Sequence, residues 1–234
     1  METIHDPDRF MGDLRQILSQ GRKRIGLLVG AGAPMSIKVD NHGKISDVGS
    51  PLIPGVDELT ALVSKKLTDP RERNAVAEIA AKVGPNANIE KILSQVRLLE
   101  QAIGDLEVHN LNSSGYAALG KNICHHIGNV VGASLPKERN SYNELISWIS
   151  GTLRDHSVEI FSSNYDLLFE EAFEAARAPY FDGFTGGARP FFDPVTVASD
   201  DLPPRWSRLW KMHGSLGWQL AGSAVIRSGG TKRK

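Results

Sequence analysis

Three short motifs, each closing an apolar run, constrain this chain more than anything else in it. Gly30-Ala31-Gly32 follows the run Ile25-Gly26-Leu27-Leu28-Val29. Ser163-Asn164-Tyr165-Asp166 follows Val158-Glu159-Ile160-Phe161. Lys211-Met212-His213-Gly214-Ser215 grows out of a third run that begins at Leu209. Short, continuous apolar runs are the pattern of strands buried on both faces of a parallel sheet. Ligands of such sheets bind beyond the carboxyl ends of the strands, and all three motifs fall there. Backbone amides, a neutral amide, a carboxylate and an imidazole at neighbouring strand tips would suit a dinucleotide.

The intervals between the runs read as helices. Asp6-Pro7 has the form of an N-cap followed by proline in the first turn. Phe10, Leu14, Ile17 and Leu18 recur on one face behind it, and Gly21 ends it. Helical periodicity covers residues 56–67, 74–83, 88–103, 116–131, 142–153 and 166–177. It is strongest over 88–103, where Ile89, Ile92, Leu93, Val96, Leu99 and Ile103 share a face. Residues 37–55 and 179–194, rich in glycine and proline, read as loops. Strand, several helices, strand, helix, strand predicts a three-layer, Rossmann-like α/β fold with a parallel sheet. A single domain over 1–234 is expected, with a core from about 22–36 and 156–220 and a helical insertion over 56–155.

Composition removes several functions. Lysine plus arginine and aspartate plus glutamate both number 27, so no global charge favours nucleic acid. The basic tail Thr231-Lys232-Arg233-Lys234 is too short to serve as a binding device. The N-terminus Met1-Glu2-Thr3-Ile4-His5 is polar, without the apolar core of a secretory signal. No apolar run approaches the ~20 residues of a membrane span. One cysteine, Cys124, allows neither an internal disulfide nor a four-thiolate zinc site. A reducing cytoplasm is the expected compartment, and no metal site is expected.

Each motif also has a plainer reading. Gly30-Ala31-Gly32 lets backbone amides approach a pyrophosphate, or is simply a tight turn. It lacks the full G-x-G-x-x-G spacing, because position 35 is methionine. Ser163 or Asn164 can cap the next helix, with Asp166 standing in for the glutamate of a capping box. His213 is either solvated or, with Gly214 opening space beside it, a general base or ribose ligand. His125 and His126, mid-helix beside Cys124, read as ordinary helix-face residues. Asp182 reads as a turn residue between aromatics.

In this order the three motifs resemble the sirtuin-like superfamily. Asn88-Ile89-Glu90-Lys91-Ile92-Leu93-Ser94 and Tyr180-Phe181-Asp182-Gly183-Phe184-Thr185-Gly186 resemble stretches of the sirtuin-like NAD hydrolase domains of bacterial antiphage defence proteins. The resemblance spans roughly residues 20–220. It implies NAD as substrate and cleavage of the nicotinamide–ribose bond. It assigns Gly30, Ala31, Gly32 and Ala33 to the pyrophosphate, and Asn164 to the nicotinamide ribose and the attacking water. Asp166 lies near the nicotinamide amide, and His213 touches the ribose hydroxyls or assists the water. Ser163, Gly214 and Ser215 complete the contacts.

The resemblance also implies control by oligomerisation or by a sensor partner, an ATPase or an argonaute-type protein. Zinc is not expected, since the four-cysteine module of protein deacylases is missing after His213-Gly214. The family pattern continues with strands beyond this region, so the C-terminal strands are expected to be truncated here. A deacylase or ADP-ribosyltransferase, or a non-catalytic module that binds NAD or ADP-ribose, is the alternative.

Overall fold

The structure is a computed structural model and describes residues 6–222 and 224–227. Helix α1 (Pro7–Ser19) begins as the sequence predicts: the Asp6 carboxylate accepts the amides of Asp8 and Arg9 at 3.1 Å. Gly21, at φ +65°, turns the chain out of it. Strand β1 (Gly26–Val29) and a single helical turn α2 (Gly32–Met35) follow. A ribbon of β2 (Lys38–Val39) and β3 (Ser50–Pro51) precedes α3 (Val56–Lys66), α4 (Pro70–Val83), α5 (Ile89–Ala102), α6 (Ser113–Val131) and α7 (Ser141–Gly151). Then come β4 (Val158–Ser162), α8 (Leu168–Ala175), β5 (Tyr180–Phe181), β6 (Phe184–Thr185), β7 (Phe191–Phe192) and α9 (Pro194–Ala198). The described chain closes with β8 (Ser207–Lys211), β9 (Trp218–Ala221) and β10 (Ala224–Arg227).

The chain divides into two compact units, Pro34–Ala133 and the segments on either side of it. The flanking unit holds a parallel sheet, ordered β1-β4-β8-β5 and flanked by helices. This is the α/β, Rossmann-like class that the alternation predicts. In the sheet β4 and β8 are central, and Val158, Ile160 and Leu209 are buried. Leu168, Phe169 and Phe173 of α8 are also buried, and α7 packs on α8 with Tyr142 against Phe169 at 4.8 Å between ring centroids. A second sheet, β6-β7-β10-β9, is antiparallel. Arg227 on β10 meets the buried carboxylate of Asp182 at 3.0 Å, so Asp182 anchors this sheet as well as shaping its turn.

The Pro34–Ala133 unit is helical. There α5 packs against α6, and both meet α3, around Val63, Ile92, Val96, Leu119 and Ile123. Asn88 caps α5, accepting the Lys91 amide at 3.0 Å, and Thr60 Oγ1 accepts the Ile89 amide at 2.9 Å. His125 meets Asn129 one turn on, and Cys124 is exposed.

Several sequence expectations are corrected. The first apolar run is not buried on both faces: burial alternates along β1, with Leu27 and Val29 half-buried and Leu28 84% exposed. The amphipathic face of α1 buries no residue, and Phe10 is 60% exposed. Residues 37–55 are loop apart from the two-residue strands β2 and β3, and Asp40 Oδ1 accepts the His42 and Lys44 amides in the turn after β2. Residues 179–194 hold three two-residue strands, too short for any alternation to show. Trp218–Ala221 and Ala224–Arg227 pair as the antiparallel strands β9 and β10, with Gly222 at φ +63° between them. Met1 to His5, Ser223, the Ser228-Gly229-Gly230 stretch and the basic tail lie outside the described residues.

Candidate functional site

The register of the parallel sheet brings the three motifs to one level. Val29 on β1 pairs with Ser162 on β4, and Ser162 pairs with Lys211 on β8. The next residues outward are Gly30, Ser163 and Met212. One step further lie Ala31, Asn164 and His213. Each apolar run supplies a strand, and the polar tail of each run emerges where the pairing stops, at the carboxyl edge where α/β sheets bind ligands.

Backbone bonds lock these tails to one another. The Ser163 amide donates to Val29 O at 3.0 Å, and the Met212 amide donates to Ser162 O at 2.9 Å. The Leu216 amide reaches Tyr165 O at 2.8 Å. One side chain joins two motifs directly: Asn164 Nδ2 donates to Gly30 O at 3.0 Å. Ser163 Oγ lies 3.5 Å from Val29 O. Ser215 Oγ accepts the Gly217 amide at 3.2 Å.

The capping box is not formed. Helix α8 starts two residues after Asp166, whose Oδ1 accepts the Leu168 amide at 3.1 Å. Asp166 thereby serves the helix start, and Asn164 is left to bridge to Gly30. Asp166 is only 3% exposed and lies beneath the ridge rather than on it. Burial raises its carboxyl above the ordinary range, against the opposing pull of Lys211. His213 is exposed, and its ring has no hydrogen-bond partner among the described residues. Gly214 sits at φ +86°, a conformation that side chains disfavour.

The Gly30-Ala31-Gly32 turn is open to solvent. All three residues are exposed, and a Cβ added at Gly32 would meet nothing within 4 Å. Gly32 has no steric reason within the protein, so its missing side chain leaves space for close approach from outside. The helix after it is a single turn, so local amides rather than a long macrodipole would face an anion.

Below the ridge lies a buried ionic cluster that sequence reading passed over. Lys211, with its side chain 0% exposed, donates to Asp166 O and stands 3.5 Å from Glu170 Oε1 on α8. Glu170, next to Glu171 in the first turn of α8, is 7% exposed. Burial pushes its carboxyl up to about 7 even with Lys211 beside it. Its Oε2 and the buried hydroxyl of Tyr142 have no hydrogen-bond partner among the described residues.

A glycine turn, an amide and an imidazole thus lie along the carboxyl edge of a parallel α/β sheet. Residues 158–229, which carry two of the three motifs, match the SIR2-like domain family, whose domains use NAD. No curated protein matches the chain. Among the described residues no group of three or more His, Cys, Asp or Glu is placed to hold a metal, and no helix is long and apolar enough to cross a membrane.

Proposed function

We propose that this chain is an NAD hydrolase that releases nicotinamide and ADP-ribose, acting in the cytoplasm as the NAD-depleting effector of a prokaryotic antiphage defence system. The observation that carries the reading is the Asn164 amide bonded to the Gly30 carbonyl, beside an exposed His213, at the edge of a sheet whose residues 158–229 match the SIR2-like family. NAD brings an N-glycosidic bond whose rupture builds oxocarbenium character on the ribose.

Stabilising that charge needs oriented dipoles rather than a strong nucleophile. Gly30, Ala31 and Gly32 offer backbone to the pyrophosphate, Ala33 closes their turn with its amide on Gly30 O at 3.1 Å, and Ser163, Gly214 and Ser215 lie around them. Asn164, held by Gly30, presents its carboxamide oxygen to the ribose and to a water. His213 is exposed and free to accept a proton from that water. Because uncontrolled NAD loss is lethal, the reading includes control by oligomerisation or a sensor partner.

The test is nicotinamide release from NAD by the purified chain. Asn164→Ala and His213→Ala are each expected to abolish release while circular dichroism stays unchanged. Full release in either folded variant refutes that residue's role. Saturable NAD binding without release in the wild type favours a binding module, and faster turnover of acyl-lysine peptides than of NAD favours a deacylase.

A further inference from the structure

We propose that Lys211 and Glu170 are positioning residues for the ridge, tying the turn that carries Asn164 to the strand end that carries His213 through the charge they share. The proposal rests on the reading of that ridge as the NAD site. Lys211 is the last residue of β8, two residues before His213. Its ammonium donates to the carbonyl of Asp166, two residues after Asn164. The same ammonium faces Glu170, one turn further along. A single buried cation therefore spans both motif tails from below, while Asn164 bonds across to the third above.

Stability alone does not account for this arrangement. A buried ion pair is often no more stabilising than apolar side chains of similar volume. Here Glu170 also leaves Oε2 unbonded, which costs further. Such a pair keeps one property an apolar pair lacks: it fixes the position of a backbone carbonyl through a charge-assisted bond. Displacement of a reacting geometry by about 1 Å can cost roughly 100-fold in rate.

The charge is adjustable. The groups facing Glu170 are Lys211 from β8, Asp166 from the β4 turn, Asp182 after β5, and the phenols of Tyr142 on α7 and Tyr180 on β5. Both phenols are pushed up by burial and stay neutral near pH 7. With its carboxyl pushed up to about 7, Glu170 changes charge near neutrality. Each change alters the pull on Lys211, and through the Asp166 carbonyl the turn that holds Asn164.

The decisive experiment follows the Asn164 side-chain amide by NMR on the whole chain, labelled with nitrogen-15, between pH 5.5 and 8.5. This amide does not titrate itself. Its shift is expected to show an inflection near pH 7 that persists in His213→Ala and disappears in Glu170→Gln. The double variant Lys211→Met/Glu170→Gln, which leaves no buried charge unpaired at this pair, is expected to stay folded. Its kcat for nicotinamide release is expected to fall at least roughly tenfold, with KM changed less than about threefold.

An inflection that survives Glu170→Gln, one that vanishes with His213→Ala, or a folded double variant with full kcat overturns the proposal. A wild type that releases no nicotinamide bears on the hydrolase reading alone, and the amide titration then decides the positioning role by itself.

Discussion

Replacing Glu170 by glutamine should make this protein more stable, and increasingly so as pH rises. The carboxyl stands at about 7 in the folded chain against an ordinary 4.5. Between those values the unfolded chain gives up its proton while the folded chain keeps it, so wild-type stability falls through that window, and the full cost stands above it. At about 1.4 kcal/mol per pH unit, ionised Glu170 costs folding about 3 kcal/mol. Burial is the cause, and Lys211 offsets only part of it.

Glutamine has nearly the same shape and carries no charge, so at low pH the two proteins should be equally stable. About 2 kcal/mol of the difference should open between pH 5.5 and 8.5. For a chain of this size that is a gain of roughly 4–8 °C in the Tm difference between the two proteins. Asp166 is raised in the same direction by burial, but it is present in both proteins and largely cancels. The assay is thermal or urea unfolding of both at the two pH values. A stability gap that does not change with pH refutes the account of Glu170. A gain in stability accompanied by loss of turnover would separate the pair's positioning role from a merely structural one.

Other outcomes test the site and the core. Gly32→Ala should leave stability unchanged or improve it by about 0.5 kcal/mol, because a Cβ there meets nothing within 4 Å. Its affinity for NAD, read by calorimetry, should nevertheless fall; unchanged affinity would remove the glycine turn from the pyrophosphate contact. Phe173→Ala, at a fully buried position that stacks on Tyr180 at 5.0 Å, should cost about 3–5 kcal/mol by urea unfolding. His125→Ala, on an exposed helix face, should alter neither stability nor nicotinamide release by a measurable amount.

Much of the local architecture is written in short-range chemistry. Asp6 before Pro7, Asn88 before Ile89 and Asn140 before Ser141 act as N-caps because a short side chain can reach an amide two or three residues on. The periodicity of residues 88–103 names the buried face of α5 because spacing along one helix decides which residues share a side. The apolar runs ending at Val29, Ser162 and Lys211 mark the strands, so the ridge residues Gly30, Asn164 and His213 were legible as strand-tip residues.

Other features depend on partners distant in sequence, which no local pattern encodes. Leu28 looks like a core residue in its run and is exposed, because whether another element covers its face of β1 is decided by tertiary packing. The two-residue strands β5, β6 and β7 owe their form to the strands they pair with. Glu170 sits among Glu171 and Glu174 as if on a solvated face, yet packing turns it inward to meet Lys211, 41 positions further along the chain. The residue types of the ridge follow from the sequence. Their common level, the Asn164–Gly30 bond and the buried charge beneath them follow only from the register of β1, β4 and β8. Strand order and alignment are set by burial across the whole sheet and not by any one strand.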